Sequence, residues 1–489
     1  MAAMMRARSQ RRRHALLAAS VALLALASFA RAERRHFVRI AEDGTSFALD
    51  DTDFYVHGFN QVQLMSHAAD DAPAPQNASS SHQNGRAKVL EVLGDAEMHG
   101  FNVLRTWAFN DGVGMWNALQ VYPGIYDEKV FRALDWLLWQ CRRHKIRVLL
   151  ALANSWSEYG GAEQYLEWAR SRHDNSSGEP YPTSFYSSLA CREMYKRFVR
   201  KLLTRRNVYT GVEYREDDYI FGFDLINEPR APTAGELHSW TREMADFFKS
   251  IDGNHLLTSG SEGFFGPSTP SLKKFNPGDW TSTHGNDFYR NHAISSLDFA
   301  VFHVYPDTWF NEGEGGETCD LDCAIAFTQD NIRAHLTSPL PKPVVLEEVG
   351  KKGEGRDRYL EEVFRAMHDS HMDGGYGAGT IVWQLSPSNF SDVDSFSIYL
   401  PEHQSTSSLM REVGVRVASR IASAYHGGLS LAGWVSHITN AKIGRFFGNR
   451  FWRKHILPAK PAAAEVSSFA ASDPSAGGPK VNDTSAPLP

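Results

Sequence analysis

The sequence predicts an α/β protein, a (β/α)8 TIM barrel with a short C-terminal extension. Three observations carry that expectation. Eight short apolar runs, at 54–60, 102–107, 146–153, 220–227, 255–259, 298–304, 343–348 and 379–384, alternate with amphipathic stretches, the order of a parallel sheet wrapped by helices. The best defined runs, Ile220-Phe221-Gly222-Phe223 and Pro343-Val344-Val345-Leu346, are β-branched or aromatic and bounded by Pro or Gly, as buried parallel strands tend to be. Both of these runs close on a glutamate, Glu228 and Glu348. Barrel enzymes keep their chemistry at the C-terminal ends of the strands.

In chain order, residues 1–32 read as a signal peptide. Arg6, Arg8, Arg11, Arg12 and Arg13 precede an apolar stretch from Ala15 to about Ala30, and Ala30-Arg31-Ala32 offers an A-x-A cleavage site. A retained anchor is the alternative, but the apolar core is short for a span of ~20 residues. Residues 33–422 are assigned to the barrel. Its helices are expected near 86–99, 127–145, 185–205, 233–251, 324–336 and 356–371, with another near 405–420. Long connections at 66–85, 260–297 and 306–320 fall on the prospective active face, where loops of that length are more often functional than incidental. The Glu- and Gly-rich part of the last loop, 312–317, reads as solvated. Residues 423–489 form a basic aromatic segment, with Trp434, Phe447, Trp452, Arg445 and Arg450, and then a disordered Ala/Pro/Ser tail.

Composition narrows the function. Hydrophobic content of 42% and charged content of 22% are ordinary for a soluble globular protein. Cleavage after residue 32 removes six Arg and no acid, taking the net charge from −6 to −12. Such an acidic chain argues against nucleic acid or an anionic membrane as partner, and no stable membrane anchor is expected. Four cysteines suit an oxidising compartment. Cys141 and Cys191 would sit on two successive barrel helices and Cys319 and Cys323 are close in sequence, so Cys141–Cys191 with Cys319–Cys323 is the preferred pairing, while other pairings and free thiols stay open. No metal site is expected, since Cys-x-x-Cys spacing and a matching His pair are absent. Asn77, Asn175, Asn389 and Asn482 head glycosylation sequons.

Two carboxylates on different strand ends point to glycoside cleavage, which needs a proton for the leaving oxygen and a group to meet positive charge at the anomeric carbon. Asn227, before Glu228, is placed to bond a sugar hydroxyl. Alternation along the last strand but one sends Glu347 and Glu348 to opposite sides, so Glu348 is read as facing the centre and Glu347 as facing the helices. Arg105, in Leu104-Arg105-Thr106-Trp107, would hold a carboxylate ionised. In His303-Val304-Tyr305, Tyr305 would bond the nucleophile and His303 a sugar hydroxyl. Trp107, Trp156, Trp309 and Trp383 sit at or beyond strand ends and favour an aromatic-lined sugar cleft.

With these segments laid out, the chain resembles glycoside hydrolase family 5, in its plant- and fungal-type endo-β-1,4-mannanase branch. The resemblance runs from about Phe37 to Ser419. It rests on Leu104–Asp111, Asn154-Ser155-Trp156, Tyr159-Gly160-Gly161, Leu225–Arg230, His303–Asp307, Leu346–Gly350 and Val382-Trp383-Gln384. Val349 and Ser155 depart from the family pattern. The resemblance implies a retaining mechanism with Glu228 as acid/base and Glu348 as nucleophile, supported by Arg105 and Tyr305. It also implies that Asn227, His303 and Trp383 line the −1 subsite. A secreted, extracellular and monomeric enzyme acting on β-mannan polysaccharides without cofactor follows as the expectation. Its rivals are a β-1,4-glucanase or a mannosyl transferase on the same fold, and a wall protein that binds polysaccharide without cutting it. As acid, Glu228 is expected to hold its proton to higher pH than Glu348.

Overall fold

The architecture is that of a computed structural model, which describes residues 36–426 apart from 71–83, 177, 179, 312–318, 338–339, 389, 391 and 393. Three short strands come first, β1 (Arg39–Ile40), β2 (Phe47–Leu49) and β3 (Thr52–Asp53), paired in the order β1-β2-β3. The barrel strands are β4 (Val56–Asn60), β5 (Val103–Trp107), β8 (Arg147–Ala151), β9 (Ile220–Asp224), β10 (Leu256–Thr258), β11 (Ala300–Val304), β12 (Val344–Val349) and β13 (Gly377–Val382). A small hairpin, β6 (Gln120–Tyr122) and β7 (Ile125–Tyr126), lies between β5 and β8. All eight expected strands are present. They form one parallel sheet in the order β10-β9-β8-β5-β4-β13-β12-β11. Hydrogen bonds from Asp298 N to Leu257 O (2.8 Å) and from Thr258 Oγ1 to Phe299 O (3.0 Å) bring its two edges together. The result is a sheet nearly closed into a barrel.

Helices fill the connections: α1 (Leu64–Ala69), α2 (Gly85–Met98), α3 (Glu128–Arg143), α4 (Gly161–Ser171), α5 (Leu189–Leu203), α6 (Ala234–Lys249), α7 (Phe288–His292), α8 (Leu321–Leu336), α9 (Arg356–Met372) and α10 (Gln404–His426). Side chains of Asp127, Ser188, Thr233 and Asp320 accept first-turn N–H bonds at the starts of α3, α5, α6 and α8, giving groups without an intrahelical partner a cap. The sequence reading lacked the short α1 and α7, at segments it read as long connections, and also the longer α4. It is entered through Gly160 and Gly161, both at positive φ, and such a glycine pair reads as loop.

The barrel floor was also unforeseen. Phe47 of β2 plugs the N-terminal end of the barrel, its ring 5.3 Å from Phe221 and 5.5 Å from Phe299. Around it pack Val38, Phe54, Val56, Val103, Leu149 and Val345, all buried. The larger apolar cluster lies between the sheet and the surrounding helices. This two-sided packing leaves the C-terminal ends of the strands as the open face.

The cysteine pairing needs one correction. Cys319 and Cys323 form a disulfide with an S–S distance of 2.05 Å, but Cys141 and Cys191 are free and buried. They are not on successive helices, because α4 intervenes, and Cys191 Sγ bonds Tyr165 O of that helix (3.5 Å). Among the described residues, no helix is long and apolar enough to cross a membrane. All described residues belong to the unit that ends at Gly428. The signal peptide, the sequons at Asn77, Asn389 and Asn482, the 312–317 loop and the tail from 427 lie outside the described residues.

Candidate active site

The open face holds a cleft of about 1210 Å³, lined by Trp107, Asn154, Trp156, Asn227, Glu228, Arg230, Glu262, Trp280, Tyr305, Trp309, Glu348 and Trp383, among others. A second hollow, of about 750 Å³, opens under the N-terminal sheet and is lined by Asp43, Asp50, Asp51 and Asp53 with Arg39 and His371. The cleft is the candidate site, because only there do the strand-end carboxylates converge.

Glu228 lies four residues beyond the end of β9, with its φ at 47°. That left-handed backbone is uncommon for a side-chain-bearing residue. It is held by the bond from Glu228 N to Gly260 O (2.7 Å). The carboxylate takes Trp156 Nε1–H on Oε2 (2.6 Å) and meets His303 Nδ1 through Oε1 (2.8 Å). Glu348 sits on β12 and is also buried. Arg105 Nη1 donates to its Oε1 (2.5 Å) and Tyr305 OH to its Oε2 (2.5 Å). One oxygen of each glutamate and a ring nitrogen of His303 lie within 4.8 Å of one another. That proximity fits the short carboxyl separation of retaining glycosidases, about 5–5.5 Å, rather than the longer inverting one.

Beneath the pair lies a dense polar layer. Arg105 is fully buried and also donates through Nε to Asp224 Oδ2 (2.7 Å), through Nη1 to Asn60 Oδ1 (3.1 Å) and through Nη2 to Asn227 Oδ1 (2.8 Å). Asn227 in turn donates to Asn154 Oδ1 (3.1 Å). His303 departs from its expected role. Its two ring nitrogens face Glu228 and Glu347 Oε2 (3.2 Å), so the ring is not free to hold a sugar hydroxyl.

Glu347 also departs from expectation. It faces the barrel interior, fully buried, and not the helices. The reason is register: pairing shifts between Phe302 and His303 on one side of β12, and between Leu346 and Val349 on the other. A bulge of this kind breaks the two-residue alternation and re-aims a side chain.

The electrostatics follow from this packing. Burial disfavours the His303 cation, but the Glu348 charge and the bonds to Glu228 and Glu347 outweigh it and push its pKa up to about 10. His303 is therefore an imidazolium at neutral pH. Burial pushes the Glu228 pKa up, but the hydrogen bond and charge of His303, with Arg230 and Trp156, hold it below the ordinary value. For Glu348, burial and the nearby Glu228 prevail over His303, Arg105 and Tyr305, and its pKa is raised. This order is the reverse of the expected one. The 2.8 Å bond between His303 Nδ1 and Glu228 Oε1 ties the two ionisations together. Tyr305 is pushed well above its ordinary range, first by burial and then by the Glu348 charge, and stays a donor.

Aromatic walls complete the cleft. Trp107 and Trp383 stand with centroids 6.4 Å apart, and Trp383 donates to Asp394 Oδ2 (2.7 Å). Trp156 is covered on one face by the Arg230 guanidinium at 4.3 Å, itself bonded to Glu262 (2.6 and 2.9 Å). The atoms of Glu228, His303 and Glu348 are close enough to hold a metal ion; here positive charge comes from Arg105 and His303.

Residues 35–388 match the protein family described as GH family 5 beta-mannosidase-like. The chain belongs to glycoside hydrolase family 5. Its similar relatives include a putative mannan endo-1,4-beta-mannosidase 5 of Oryza sativa subsp. japonica, 39% identical and covering 75% of this chain and 74% of the relative. Mannan endo-1,4-beta-mannosidase 5 of Arabidopsis thaliana is also 39% identical, over 77% and 86%. Among solved structures, the endo-beta-1,4-mannanase of Thermotoga petrophila superposes with a TM-score of 0.62 at 26% identity, covering 74% of this chain and 77% of the other. The endo-1,4-beta-mannanase of Rhizomucor miehei gives 0.62 at 25%, covering 78% and 99%. This family 5 chain is a glycoside hydrolase with a nearly closed parallel barrel.

The structure brings Arg105, Trp107, Trp156, Asn227, Glu228, His303, Tyr305, Glu348 and Trp383 to this one face. Sequence reasoning missed Asn60, Asn154, Asp224, Arg230, Glu262, Trp280 and Asp394. Asp224 carried a signal, a carboxylate in an apolar strand four residues before Glu228. Trp280 and Asp394 lie in irregular segments where no periodicity points at the cleft.

Proposed function

We propose that the protein is a secreted retaining endo-β-1,4-mannanase that cuts internal bonds of mannan, glucomannan or galactomannan. The observation that carries the chemistry is the pair of buried carboxylates with oxygens within 4.8 Å, each bonded by a different set of donors. The names of the relatives carry the substrate class. The N-terminal segment and the Cys319–Cys323 disulfide support secretion.

In the first step, a Glu348 oxygen attacks the anomeric carbon as the bond to the leaving oxygen breaks, and Glu228 gives that oxygen a proton. The proton reaches Glu228 from His303 Nδ1 along their 2.8 Å hydrogen bond, leaving the imidazole neutral. In the second step, Glu228 takes a proton from water and passes it to His303 Nδ1, restoring the imidazolium, while the water oxygen displaces Glu348 from the same carbon. Arg105 and Tyr305 favour the ionised carboxylate and so assist its departure. Trp383 and Trp107 supply flat faces for pyranose rings.

The test is reducing-sugar release from linear β-1,4-mannan, beside Glu228→Gln and a cellulose derivative. Activity on mannan that the variant loses supports the reading. Activity on cellulose alone moves the substrate to glucan, and silence on both removes mannan cleavage.

A further inference from the structure

Beneath the two glutamates lies a second pair of carboxyl groups, Asp224 on β9 and Glu347 on β12, both fully buried. Each has one oxygen accounted for. Asp224 Oδ2 takes Arg105 Nε (2.7 Å), and Glu347 Oε2 faces His303 Nε2 (3.2 Å) and Arg105 Nη2 (3.6 Å). The other two oxygens, Asp224 Oδ1 and Glu347 Oε1, are buried and have no donor. The two groups meet on the same guanidinium and are within hydrogen-bonding reach of each other; a buried lone oxygen costs about 1–3 kcal/mol, more when charged, and two carboxylates so placed cannot both ionise cheaply.

We propose that Asp224 and Glu347 share a single proton between Oδ1 and Oε1, and that this acid–carboxylate pair fixes His303 as a doubly protonated donor to Glu228. One proton satisfies both orphaned oxygens. It sits on Asp224, leaving the negative charge on Glu347, where His303 Nε2–H meets it. The network then runs Glu228, His303, Glu347, Asp224, Arg105, Glu348, and joins the two reacting carboxylates through buried groups. Burial and the Glu347 charge raise the Asp224 pKa well above its ordinary value, outweighing Arg105. The other ionisable groups facing the pair do not supply the proton. Tyr195, from α5, donates to Leu225 O (2.5 Å), and His292, from α7, is pushed down to about 3 by burial and is neutral. Asp224 and Glu347 are positioning residues, acting through His303.

The shared proton is independent of the proposed reaction, whereas its effect on His303 is read through Glu228 and rests on that reading. Two measurements separate them. Infrared spectra of the full chain at pH 8–9 test for a protonated carboxyl band that Asp224→Asn removes. If the variant folds poorly, 13C-aspartate labelling of the wild type shifts the same band. Asp111, pushed up to about 7 by burial, loses its band through that range and is told apart. A difference spectrum with no acid band overturns the proposal.

The second measurement is the pH profile of kcat/KM. Asp224→Asn leaves the charge on Glu347 and keeps the alkaline limb in place, whatever happens to its height. Glu347→Gln moves the charge away from His303, and the alkaline limb falls by roughly one to three pH units. Equal shifts in both variants mean that both carboxylates were ionised and overturn the proposal. An acid band without any shift in Glu347→Gln overturns the His303 half alone. Absence of glycosidase activity, with the band present, refutes the proposed reaction and keeps the pair.

Discussion

Replacing Arg105 by Met tests the polar layer most directly. Arg105 donates to Asp224, Asn60, Glu348 and Asn227 from a fully buried position. Met keeps most of the volume, so cavity formation is a small part of the effect. What remains is a buried set of carboxyl groups, Asp224, Glu347 and Glu348, with His303 as the cation facing the last two. Removing one partner of a buried pair costs about 3–5 kcal/mol, and two amide oxygens left without donors add about 1 kcal/mol each. A loss of roughly 5 kcal/mol is a large share of a typical 5–15 kcal/mol. The sign with pH follows from linkage. Without the guanidinium, the carboxylates bind protons more tightly in the folded state, and raised carboxyl pKa values cost stability as pH rises above about 4. The variant therefore lies nearer wild type at pH 5 than at pH 8. Urea denaturation at both pH values measures this, with Arg105→Lys as a control that keeps charge and loses the fork. A difference under 1 kcal/mol at pH 8, or one independent of pH, would refute the reasoning.

Glu348→Ala should lower kcat on mannan by at least about 10⁴-fold with the fold intact by circular dichroism, as loss of a nucleophile does; retention of a tenth of the activity would remove Glu348 from that role. Trp156→Phe deletes the donor to Glu228 Oε2, so the Glu228 pKa should rise by up to about one unit, read from the carboxyl 13C titration of glutamate-labelled protein. An unmoved titration would show that this bond does not set the ionisation. Phe47→Ala opens the barrel floor and should cost about 3–5 kcal/mol, measured by chemical denaturation, with little change in KM. Asp111 has Oδ2 buried without a donor, and burial moves its pKa from its ordinary 3.8 to about 7. Ionising it costs the fold on the order of 4 kcal/mol between pH 4 and 7, so Asp111→Asn should match wild type near pH 4 and exceed it in melting temperature at pH 8.

The barrel was legible because its strands are apolar on both faces and its helices are periodic. These are local signals, and each of the eight strands was found within a few residues. What was not legible depends on partners distant in sequence. Phe47 reads as an ordinary apolar residue, and its role as a plug arises only when β2 meets Phe221 and Phe299. Helix α4 was hidden by its own glycine entry. That omission also misplaced Cys141 and Cys191 as neighbours.

The site shows the same division more sharply. Glu228 and Glu348 announce themselves by ending apolar runs, and Arg105, Asn227 and Tyr305 by polar character at strand ends. Glu347 defeats that logic, because the rule of alternation assumes a regular ladder on both sides of β12. Its ladder is irregular on both sides at the residues that carry the chemistry. A bulge is cheapest where side chains, not ladder bonds, decide the energy, and here it turns two consecutive carboxylates toward one guanidinium. The consequence reaches the proton inventory. With Glu347 outside, His303 would face two carboxylates, and Glu228 would compete for its proton on better terms. With Glu347 inside, a third carboxylate holds the imidazolium, and Glu228, its pKa lowered, becomes the stronger acid of the pair. How firmly the His303 cation is held thus depends in part on a register shift that one strand's sequence does not encode.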